Sequence, residues 1–110
     1  MPISALINDI VATYKRHGWT VRQALLRPES KAAATESLLR GHGEIRDADF
    51  DALWFSRPSH QEREAWELRL ISEQPYALFE AFEADLTEEE RAEARKEMEN
   101  RMRQHAGGAT

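Results

Sequence analysis

The most constraining stretch of the sequence is Asp51-Ala52-Leu53-Trp54-Phe55-Ser56, a short apolar run between turn signals. Its length and flanks predict a buried strand. Side chains alternate across a sheet, so Leu53 and Phe55 point one way and Trp54 the other. Whichever face joins the main core, a large apolar group is left on the opposite side. A sheet with one wet face alternates apolar and polar residues instead. This strand therefore calls for cover on both sides, from the chain's own later helices or from a second subunit.

The flanking pattern supplies the other elements. Ile3, Leu6, Ile7, Ile10, Val11 and Tyr14 recur at helical spacing, and Gly18 sits where a left-handed cap would end that helix. Trp19 to Leu26 switches to period two, with Trp19, Val21 and Leu25 expected on one face and Thr20 and Arg22 on the other. Pro28 closes this strand. The alanine-rich segment 29–39 predicts a helix, with Gly41 and Gly43 opening a loop after it.

In Ala65-Trp66-Glu67-Leu68-Arg69-Leu70-Ile71 the large apolar residues alternate with charges, the pattern of a half-buried strand paired in a hairpin with the preceding one. Ser59 with Glu62 also fits a helix capping box, but a helix over 60–72 would scatter its apolar side chains all around the axis. After Glu73-Gln74-Pro75, the residues Ala77, Leu78, Ala81 and Phe82 predict another helix. Thr87 and Glu90 form a capping box for a last helix over 88–104, whose apolar stripe is only Ala94, Met98 and Met102. The expected fold class is α+β, a three-stranded antiparallel sheet with flanking helices in the order α-β-α-β-β-α-α. One domain is expected over 1–105, with 106–110 as a flexible tail.

Composition narrows the functional classes. The 110 residues contain no cysteine, which excludes disulfides, thiolate nucleophiles and Cys-ligated zinc, and favours a cytoplasmic setting. No apolar run is long enough for a membrane span, and the first residues lack the pattern of a signal peptide. The net charge is −5, with the positive excess confined to residues 1–43. An acidic total argues against nonspecific binding of nucleic acid, as does the acidic character of the helices expected after the sheet.

No reactive constellation stands out. His60 and Glu64 have metal-ligand spacing only on a helix, and they fall in an expected turn. Asp47, Asp49 and Asp51 imitate the start of a calcium loop, but its glycine position is Ala52 and its final glutamate position is Pro58. They read instead as solvated carboxylates. Ser56, Ser59 and His60 are adjacent in sequence, which rarely gives nucleophile–base geometry. Gly41-His42-Gly43 is too short for a phosphate loop, and no cofactor is called for.

The expected activity is that of a non-enzymatic interaction module, self-associating or binding a protein partner. The candidate surface is Arg22, Trp54, Arg57, Arg69, Met98 and Met102. Trp with Arg is the favoured composition of interface hot spots, and Arg22 and Arg69 are expected to share a sheet face with Trp54. The alternative is a small-ligand binder or enzyme with a pocket between sheet and helices, where Arg27, Arg57 or His60 would hold an anion.

Overall fold

The computed structural model describes residues 2–38 and 44–107, the side chains of 34–38 excepted. The order is α1 (Ile3–Arg16), β1 (Thr20–Leu26), α2 (Pro28–Leu38), β2 (Glu44–Asp47), β3 (Ala52–Pro58), β4 (Glu64–Leu70), β5 (Ala77–Phe82) and α3 (Glu88–Gly107). A short 3₁₀ turn at His60–Glu62 links β3 to β4. The α+β class is as expected, but the sheet has five strands in the order β2-β1-β3-β4-β5 and is mixed, not antiparallel. The parallel pair is β1 with β2, joined through α2.

Two corrections account for the difference. The segment expected as a helix after Pro75 is β5, paired antiparallel to β4. Its buried residues are Leu78 and Phe82, four apart. That spacing puts two side chains on one face of a helix and equally on one face of a strand, so the apolar pattern alone does not separate them. The other addition, β2, has a single apolar residue, Ile45, and no periodicity to detect. The choice of strand over helix for residues 65–71 agrees with β4. At the C-terminus α3 runs through Gly107, two residues into the expected tail, and His105 stacks on Tyr76 with ring centroids 3.5 Å apart. The expected loop at Gly41 and Gly43 lies outside the described residues.

Both faces of β3 are buried, each in its own apolar cluster. On one side Leu53 and Phe55 pack with Ile7, Ile10 and Val11 of α1. On the other, Trp54 joins Trp66, Leu68, Leu78, Phe82 and, from α3, Met98 and Met102. The two-sided strand is thus covered by the chain's own helices. The thin methionine stripe of α3 suffices because the sheet brings three aromatic side chains to meet it, and flexible methionines fill the gaps between them.

A β-bulge sets the phase of β1. Val21 pairs with Phe55 and Gln23 with Trp54, leaving Arg22 without a partner. Val21 therefore stays with the α1-side cluster, Leu25 moves to the α3 side, and the expected common face of Trp19, Val21 and Leu25 is broken. Gly18, at φ +83°, ends α1 as its place after His17 predicted.

Candidate functional site

The backbone of α3 packs against β4 and β5. Trp54 of β3 and Leu25 of β1 are buried with its methionines, and beyond them the sheet face opens at Gln23 of β1 and at β2. The side chains that β1 and β2 present at this corner are polar: Gln23, paired with Glu44, and Arg46. The result is a cleft of about 550 Å³ between that corner and α3. Trp54 and Trp66 contribute to its lining, and their rings meet edge to face with centroids 5.8 Å apart.

Four cations face the cleft. Arg22 arrives from the bulge, Arg46 from β2, and Arg95 and Lys96 from α3. They outnumber the two carboxylates there, Glu44 and Glu99, in a chain whose net charge is −5. The guanidinium carbons of Arg22 and Arg95 lie 5.6 Å and 4.6 Å from the Trp66 ring centroid, within cation–π range. Arg95 is also held by Glu88, at 2.8 Å, and that contact lowers the Glu88 carboxyl from its ordinary value. Arg46 pairs with Glu99, which in turn accepts the Trp54 Nε1–H at 2.8 Å. Among the described residues no carboxylate pairs with Arg22. Planar guanidinium groups that are already oriented and partly shielded from water are suited to bind carboxylate or phosphate oxygens.

The six residues expected to form one surface are not all brought together, and those that meet do so mostly in the core. Trp54, 2 % exposed, is buried with Met98 and Met102 beneath α3. Replacing Trp54 or Met98 by a charged residue would perturb the core before it reported on association. Leu53 and Phe55 share their face with Arg69 and Glu67, opposite to Trp54 and Trp66. Arg22 therefore shares the α3 side with Trp54, whereas Arg69 does not. Arg57 lies 4.6 Å from the Trp19 ring centroid and donates to the His17 carbonyl, tying the end of α1 to β3.

The residues expected from sequence to hold an anion, Arg27, Arg57 and His60, do not line this cleft. Arg27 is spoken for: its backbone N–H and guanidinium, with the Ser30 hydroxyl, donate to the buried carboxylate of Asp51 at 2.7–3.2 Å. That contact raises the Arg27 pKa and corrects the reading of Asp51 as solvated. Asp47 pairs with Lys31 and Asp49 with Arg103, so the aspartates of the false calcium loop serve three separate cations. Arg57 lines a second hollow of about 390 Å³ with Ser56, Ser59 and Arg22, but His60 is outside it. Among the described residues no hydrogen bond joins His60 to Ser56 or Ser59, and no group of three or more His, Asp or Glu is placed to hold a metal.

Arg46, Arg95 and Lys96 were missed. The last two are neighbours on a helix whose charges look like an ordinary solvated face, and Arg46 belongs to the strand without periodicity. Among the described residues no helix is long and apolar enough to cross a membrane. No protein-family model, curated protein or solved structure matches this chain.

Proposed function

We propose that the chain binds a small anionic ligand in the cleft between α3 and the β1–β2 corner. The observation that carries this reading is the convergence of Arg22, Arg46, Arg95 and Lys96 on a tryptophan-lined recess. The protein's overall negative charge makes a positive cleft a local feature and not a consequence of composition. Calorimetry with inorganic phosphate and phenyl phosphate tests the reading. One saturable site is expected, weakened about tenfold or more by Arg22→Ala. No heat up to about 10 mM of either probe would sink it.

A second reading, self-association or a protein partner, draws support from Phe79. It is 56 % exposed on β5, an edge strand of the sheet, and it shares its side of that strand with exposed Ala77 and Ala81. An open edge bearing an apolar strip is a pairing hazard unless something covers it. Light scattering after size exclusion, over a wide dilution series, separates the readings. A dimer lost on Phe79→Ser favours the second, and a monomer at all concentrations removes its self-association form. Either function is compatible with a cytoplasmic setting, which the cysteine-free sequence favours.

A further inference from the structure

We infer that Glu99 is the cleft's own counter-anion, a carboxylate built into the chain that occupies ground an incoming anion must win. This rests on the cleft being an anion site. Glu99 faces the cleft with only 15 % of its side chain exposed. One oxygen meets Arg46 and the other takes the indole N–H of Trp54. Lys96 and Arg95 precede it by three and four residues on α3, the spacings that place helical side chains on one face. The carboxylate therefore pairs directly with Arg46 and shares the α3 wall of the cleft with Arg95 and Lys96. Glu44, the other acid, is exposed, and among the described residues its side chain accepts a long 3.4 Å contact from Gln23.

The consequence is a sign that intuition about binding residues would reverse. A bound anion would share Arg46 with Glu99 and be repelled by it across a short, partly dry gap. Removing the charge while keeping the shape should therefore tighten binding. Glu99→Gln does this, because the amide oxygen still accepts the Trp54 N–H. If Glu99 instead served to aim Arg46 at the ligand, the same substitution would weaken binding.

The experiment is calorimetry at low ionic strength on the full chain, with inorganic phosphate and phenyl phosphate as probes. Glu99→Gln is expected to bind about three- to tenfold more tightly than the wild type, as removal of one nearby like charge implies. Glu44→Gln is expected to change affinity less than about twofold. A second variant, Glu99→Ala, should move in the same direction as Glu99→Gln and guards against a folding defect in either one. Unchanged or weaker binding in folded Glu99 variants, with the wild type binding normally, overturns the role of Glu99 alone. Absence of binding in the wild type and all variants overturns the cleft reading, and the role of Glu99 with it.

Discussion

Trp54 and Glu99 meet at the boundary between core and cleft, the indole N–H donating to the carboxylate across 2.8 Å. The indole body is buried against α3 while its one polar atom points toward the cleft side. A tryptophan in this position needs an acceptor, since a buried N–H without one costs more than the bond contributes. Trp54→Phe removes the donor and part of the packing. A loss of about 1–3 kcal/mol is expected in urea unfolding, and a smaller loss in Trp54→Phe/Glu99→Ala, where the acceptor is removed as well, than the sum of the singles.

Asp51 is the other polar group whose partners decide its effect. It is 8 % exposed and accepts from Arg27 and Ser30, tying the end of β1 and the start of α2 to β3. Asp51→Ala strands the Ser30 hydroxyl and the Arg27 N–H, so a loss of about 2–4 kcal/mol is expected. Arg27→Ala should cost less, about 1 kcal/mol, because half of that side chain is in water and the pair is screened from its side. Chemical denaturation of the two variants checks the asymmetry.

Tyr14 stacks on Phe55, with centroids 4.1 Å apart, and its hydroxyl donates to Glu67. Burial first, and then this bond to a carboxylate, raise the phenol well above its ordinary value of 10.0. The folded chain thus keeps a proton that the unfolded chain loses near pH 10. The associated stability is present below that pH and declines as pH rises from there toward the folded value. Absorbance at 295 nm should show the Tyr14 phenolate appearing only together with unfolding, and in Glu67→Gln at lower pH.

At Gly18 an added Cβ would meet nothing within 4 Å, so crowding is not what requires glycine there. The positive φ is. Gly18→Ala is expected to lower stability by about 1 kcal/mol, read as a shift in the urea midpoint at unchanged slope.

The parts of the fold legible in sequence were those where one periodicity dominates. The stripe from Ile3 to Tyr14 gave α1, and the alternation at Trp66, Leu68 and Leu70 gave β4 against the competing capping box. The two-sided apolar character of Leu53-Trp54-Phe55 correctly required cover, and α3 supplies it from the same chain. Leu78 and Phe82 were ambiguous because their spacing serves either structure, and pairing with β4 decided the matter. The site was less legible. Arg22 was singled out, but for company with Arg69 and Trp54. The bulge and the extent of α3 determine which cations meet, and neither leaves a mark in local spacing.

The bulge in β1 also makes Arg22 the surplus residue of its strand. Without it, Val21, Gln23, Ala24, Leu25 and Leu26 would alternate regularly and each would keep its present face. The reading frame of the core thus passes around Arg22, and the strand could be one residue shorter without inverting a single apolar side chain. The residue that faces the cleft is in that sense an insertion the fold absorbs, and the alternation of the core sets no demand on its identity.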